Sequence, residues 1–127
     1  MIHQYLAEGR QVYYRSSGYS LVPRVHPNDR CGYESATDPR VFERLLQNED
    51  NWNEPWIHQR DKWDAKDIVF CQPQPKNFYT AHIIKRIHPL PDGTHRFVIS
   101  NYKGRENGWC ERRHIYGRMF EVNDEAV

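Results

Sequence analysis

The sequence predicts a mostly β protein, two small barrels packed together, with room for one short helix near residues 39–47. Two observations predict it. The first is a succession of short runs of branched and aromatic residues bounded by Gly, Pro, Asn, Asp or Ser, the pattern of strands joined by turns. The second is an internal similarity: at one constant offset Leu45 and Leu46 fall on Val98 and Ile99, Asn48 on Asn101, Trp56 on Trp109 and Arg60 on Arg113, as if one unit were used twice. The 127 residues suffice for two domains of roughly 55 to 65 residues, each only marginally stable alone. The expected division is 1–62 and 63–127.

In the first half, Glu8 to Arg15 reads as a strand closed by the turn residues Ser16, Ser17 and Gly18, and Tyr19 to Val25 as a second strand. Pro23 makes that second strand an edge or a bulge, because proline cannot donate to a ladder. Residues 26–38, rich in Pro, Asn, Asp, Gly and Ser, read as a loop. Residues 38–47 carry two incompatible patterns. Asp38 before Pro39, with Val41, Phe42, Leu45 and Leu46 at helical spacing, predicts a capped helix. The repeat instead aligns Arg44 to Gln47 with a strand at Phe97 to Ser100.

The second half is plainer. Asp67 to Gln72 is a strand, Pro73 to Asn77 a turn, and Phe78 to Ile87 a strand too long to stay flat. Pro91, Asp92 and Gly93 form a turn in which glycine supplies positive φ. His95 to Tyr102 follows as a strand, then a glycine-punctuated segment through Gly108, a short strand from Trp109 to Arg112, and a closing turn near His114 to Tyr116. Four or five short strands with one that must coil describe a small curved barrel.

Charge and composition narrow the function. Eighteen basic against seventeen acidic side chains leave a net +1, so no field of the whole molecule draws nucleic acid or an anionic membrane, and such binding needs a local patch. Eight Tyr and four Trp exceed what a small core needs, and surplus aromatics serve recognition. Three widely spaced cysteines, Cys31, Cys71 and Cys110, suggest neither a disulfide framework nor a CxxC metal site and fit a reducing compartment. The apolar runs fall far short of the roughly 20 residues a membrane helix needs, and Met1 to Gly9 lacks the features of a signal peptide. The expectation is a soluble intracellular protein without a membrane partner.

No pair of His or Cys shows CxxC, HxxxH or HExxH spacing, and there is no GxSxG. Ser16 and Ser17 sit in a turn-like setting where serine is common, and a cysteine such as Cys110, beside Glu111 and near His114, pairs with its neighbours as alternate strand residues often do without function. The expectation is a protein that is not an enzyme and needs neither metal nor cofactor.

The succession of strand, turn, Phe78-Tyr79-x-Ala81, turn, and Phe97-x-Ile99-x-x-Tyr102-x-Gly104-x4-Trp109 resembles the Tudor and chromo-barrel group of small SH3-like barrels. The resemblance covers residues 65–116 and, more faintly, 9–61, as a tandem pair. It implies a nuclear, nonenzymatic reader that holds a methylated lysine of a histone or other protein tail in a cage of aromatic rings. Carried over by position, Tyr79, Tyr102 and Trp109 match cage positions in the second half, where Arg105 stands in place of a further Trp. In the first half Tyr14, Tyr19, Trp52 and Trp56 match, with Glu49 at the third-strand Tyr position. For each of these rings, burial in the core is the plain alternative.

Two rival readings stand beside this one. Lys103, Arg105, Arg112, Arg113, His114 and Arg118 around Tyr102, Trp109 and Tyr116 mix cations with rings in the manner of single-strand nucleic-acid sites, against Glu106 and Glu111 in the same stretch. A plain adaptor for an unmodified peptide is the other.

Overall fold

The computed structural model describes residues 1–47 and 66–127, so Glu49, Trp52 and Trp56 lie outside the described residues. The elements run α1 (Ile2–Ala7), β1 (Val12–Arg15), β2 (Arg30–Ser35), α2 (Pro39–Leu46), β3 (Ile68–Cys71), β4 (Thr80–Pro89), β5 (His95–Ser100), β6 (Glu106–Cys110), a 3-10 turn (Arg112–His114), β7 (Ile115–Val122) and β8 (Glu125–Ala126). The chain is mostly β, as its sequence predicts.

All these strands form one antiparallel sheet in the order β1-β2-β7-β3-β4-β5-β6, with β8 added to β7. Among the described residues the two packed barrels expected from the sequence are not seen. Strand β2 pairs with β7 from Cys31↔Val122 to Ser35↔Gly117, so the strands of the first half extend the sheet of the second across the expected boundary. The repeat also fails locally: Arg44 belongs to α2, whereas its counterpart Phe97 lies in β5. The helical reading of 38–47 is the one realised. Asp38 caps α2 by accepting the Arg40 amide at 3.0 Å, and Pro39 starts a helix whose first amides need no partner.

The second half follows its sequence from β3 through β5. Ten-residue β4 pairs with β3 over Thr80–Ile83 and with β5 over Ile83–Pro89, with a bulge between Ile84 and Arg86. A bulge increases local twist, and the sheet curls until the segment leaving β3 meets β6. There Gln74 and Trp109 exchange both backbone hydrogen bonds, at 2.7 and 3.2 Å. The close approach requires Gly108, whose φ is +109° and whose missing Cβ would lie 2.5 Å from the Gln74 carbonyl oxygen.

Three local expectations are corrected. Tyr19 to Val25 is a series of turns, with Val25 N–H bonded to Leu21 carbonyl at 3.1 Å, a spacing that sends both Leu21 and Val25 into the core. The loop expected over 26–38 contains β2, which is held by ladders on both sides. Gly32 fits there because a Cβ would meet the rings of Tyr13 and Phe120. The closing turn expected near His114 to Tyr116 lies slightly earlier, as the 3-10 turn Arg112–His114, and Ile115 and Tyr116 already enter β7, which pairs with both β2 and β3.

Strand β3 is buried along its whole length, the mark of a strand covered on both faces. Val69 and Cys71 point into a core with Ile87, Phe97, Ile99 and the α2 residues Phe42 and Leu45. Ile68 and Phe70 point into a second core with Leu6, Leu21, Tyr33, Tyr102 and Met119. Arg118 of β7 stands opposite Val69 and Glu34 in the ladders, on the face of the first core, where it is buried and paired with Asp67 at 3.0 Å and Glu34 at 3.7 Å.

Candidate functional site

Strand β1 alternates, with Val12 and Tyr14 turned inward and Tyr13 and Arg15 outward. Tyr14 pairs with Cys31 and Val12 with Tyr33, which makes Tyr14 and Tyr33 diagonal neighbours on one face. Their rings stack with centroids 5.6 Å apart. Tyr79, just before β4, comes from the other half of the chain. His3 of α1 stacks on it at 3.9 Å with planes 5° apart, and Tyr116 meets it edge-on at 5.6 Å.

Tyr14, Tyr33 and Tyr79 line one pocket of about 100 Å³, closed by Ser16, Ser17, Gly18, Ser20 and Leu21 on one side and Thr80, Ala81 and Met119 on another. The serine loop is fastened in place. Ser16 N–H donates to the Asp29 carbonyl and its hydroxyl to the His26 carbonyl, while Tyr102 N–H donates to the Ser20 carbonyl at 2.8 Å.

Electrostatically the pocket is neutral and polar. Burial raises the Tyr14 phenol above its ordinary range and raises Tyr33 well above it, so both stay protonated at neutral pH. Tyr33 is 0% exposed, and its hydroxyl interacts with the Tyr14 phenol without making a well-formed hydrogen bond to any described residue. A buried polar atom left short of a full hydrogen bond is uncommon in a native fold.

The remaining predicted residues fall elsewhere. Tyr19 is 78% exposed between Gly18 and Ser20, which border the pocket. Tyr102 is 8% exposed and belongs to the core beneath it. Trp109 is half-buried, and Arg96 lies over its ring at 4.1 Å, so a cation of the chain itself occupies the place a methylated ammonium would take. Lys103 and Arg105 are exposed before β6, whereas Arg112 lies over Phe42 at 4.3 Å and Arg113 pairs with Glu111 at 2.9 Å after β6. The five residues of β6 separate the two groups by about 3.3 Å per residue, so the four cations do not form one patch.

Sequence reasoning missed Tyr33 and His3. The sign of Tyr33 was its alternation with Cys31 and Ser35 in a segment whose Asp, Gly and Ser content reads as loop. Nothing local marked His3.

Comparisons of the chain with family models, with curated proteins and with solved structures gave no match. Among the described residues no helix is long and apolar enough to cross a membrane.

Proposed function

We propose that this protein is a nonenzymatic binding module that holds the methylated ammonium group of a lysine in the Tyr14–Tyr33–Tyr79 pocket, the lysine belonging to a histone or other nuclear protein tail. The observation that carries this reading is the convergence of three tyrosines, from β1, β2 and the start of β4, on one small pocket. A methylated ammonium is poorly hydrated and is attracted to ring faces, each contact contributing about 0.5 to 2 kcal/mol. The pocket has the volume of about three waters, which suits a nitrogen with two or three methyl groups. Serine and threonine hydroxyls at the rim can take the backbone of the peptide that carries it.

The second half supports the Tudor-like resemblance in its sequence of elements. Strand, long coiled strand, hairpin, 3-10 turn and final strand follow one another from β3 to β7, and the fold-back of β6 onto Gln74 gives the curl of a small barrel. On this reading β1 and β2 are an appendage to one barrel that completes its binding pocket, rather than part of a second barrel.

The test is a titration, followed by NMR, with free trimethyllysine and dimethyllysine and then with tail peptides bearing unmodified, mono-, di- and trimethylated lysine. Binding should rise with methylation and shift the signals of residues around Tyr14 and Tyr79. Tyr79→Ala should weaken it roughly 2- to 30-fold, the range of one cation–ring contact. Equal affinity for methylated and unmodified peptides would replace this reading with that of a plain peptide adaptor.

A further inference from the structure

We infer that the outer face of β4, β5 and β6 is a second binding surface, one that takes single-stranded nucleic acid. The ladder places Arg86 opposite Val98 and Val98 opposite Trp109, while His88 stands opposite Arg96. Directly paired residues point to the same side of a sheet. Arg86, Val98 and Trp109 therefore form one row across three strands, and His88 with Arg96 the next. This is the side opposite Ile87 and Phe97, which are buried against α2.

The face offers both contacts that unpaired nucleotides use. A cleft of about 490 Å³ runs between His88, Leu90, Arg96 and the half-buried Trp109, large enough for a base against the indole or against the guanidinium stacked on it. Among the described residues, the Arg96 guanidinium is held by the Trp109 ring and has no carboxylate partner, which leaves its charge available to a phosphate. Beside it Lys85 and Arg86 both pair with Glu106, which also lines the cleft, at 2.8 Å each. Lys103 and Arg105 stand exposed in the hairpin leading into β6, next to the Gly104 carbonyl that Lys85 holds at 3.0 Å. Arg96, Lys103 and Arg105 thus supply exposed positive charge along this face, on a chain whose overall charge is only +1. Rings interleaved with cations on a sheet face hold single strands through stacking and backbone attraction. A methylated lysine would be repelled here, so this surface and the tyrosine pocket act on different ligands.

Fluorescence anisotropy with labelled oligouridine and oligothymidine of about 12 nucleotides tests the inference. With three phosphates neutralised, log K should fall against log salt with a slope of about −2. Arg96→Glu and Arg105→Glu, both at exposed positions, should each weaken binding about tenfold or more while circular dichroism and the methyllysine titration stay unchanged. Three results would overturn it: no binding at about 50 mM salt, wild-type affinity in the Arg96→Glu and Arg105→Glu double variant, or equal affinity for inorganic polyphosphate, which has no bases to stack.

Discussion

Tyr14 and Tyr33 stack at 5.6 Å, and their phenols interact without giving the Tyr33 hydroxyl a well-formed hydrogen bond among the described residues. A buried hydroxyl left wholly unpaired would cost about 1 to 3 kcal/mol, and the contact with Tyr14 offsets part of that. Tyr33→Phe keeps the ring and removes the hydroxyl. It should change stability in urea denaturation by less than about 1 kcal/mol, because no well-formed hydrogen bond is lost. The same change should leave the affinities for dimethyllysine and trimethyllysine unaltered, because the ring that lines the pocket is kept and the hydroxyl is closed to water. A selective loss of dimethyllysine binding would show instead that the hydroxyl reaches the ligand.

Arg118 joins elements distant in the chain, pairing with Asp67 before β3 and with Glu34 of β2, while its own side chain is 5% exposed. Removing one member of a buried pair leaves the other charge uncompensated and typically costs 3 to 5 kcal/mol. Arg118→Ala should therefore lower stability by about 3 kcal/mol or more. In a double-mutant cycle with Asp67→Asn the two effects should be clearly less than additive. Additive losses would mean that Arg118 stabilises the sheet by packing its stem rather than by charge.

Some of this architecture is written locally and some is not. Strands β3 to β5 could be read because branched and aromatic runs are separated by turn residues such as Pro91, Asp92 and Gly93, and α2 because Asp38 and Pro39 announce its start. Strand β2 was hidden because Arg30, Gly32, Glu34 and Ser35 have little strand preference of their own; partners on both sides make it a strand. Strand β7 was hidden for a related reason. Arg118 within it looks like a surface residue until Asp67, 51 positions away, is placed beside it. In the site, Tyr14 and Tyr79 were recognisable as surplus rings. That they line one pocket, and that Trp109 meets Arg96 instead of a ligand, depends on sheet register, which no single segment encodes.

Gly108 offers a test of the curl that brings β6 back to Gln74. Its φ of +109° strains any residue with a Cβ, and that Cβ would sit 2.5 Å from the Gln74 oxygen. Gly93 also has positive φ, at +87°, but nothing lies within 4 Å of its would-be Cβ. Gly93→Ala should cost only the conformational strain, about 1 kcal/mol, and Gly108→Ala about 2 kcal/mol or more. Thermal unfolding of the two variants separates the contributions, and equal losses would show that the approach of Gln74 to β6 relaxes without cost.

His82 gives the fold a response to mild acid. Its Nε2 accepts from the Asn107 amide at 2.8 Å, Lys76 holds the oxygen of that amide at 3.2 Å, and its Nδ1–H donates to the Ala81 carbonyl. This arrangement suits the neutral ring, because a proton on Nε2 would point at the amide hydrogens. Burial lowers the His82 pKa most, the Ala81 carbonyl opposes that shift, and the Lys76 charge adds to it. His114 is lowered as well, by burial and then by Arg113. With folded-state values below that of the unfolded chain, near 6.5, the unfolded chain binds protons first as pH falls, so stability declines below about pH 6.5. Acidic groups give a separate, lower window. Asp29, Asp38, Asp92 and Glu106 are held below their ordinary values by hydrogen bonds, and their contribution is lost only below about pH 4. Urea denaturation between pH 7 and 5 should therefore show a falling stability whose slope shrinks in His82→Gln. A slope unchanged by that substitution would assign the acid response to other groups.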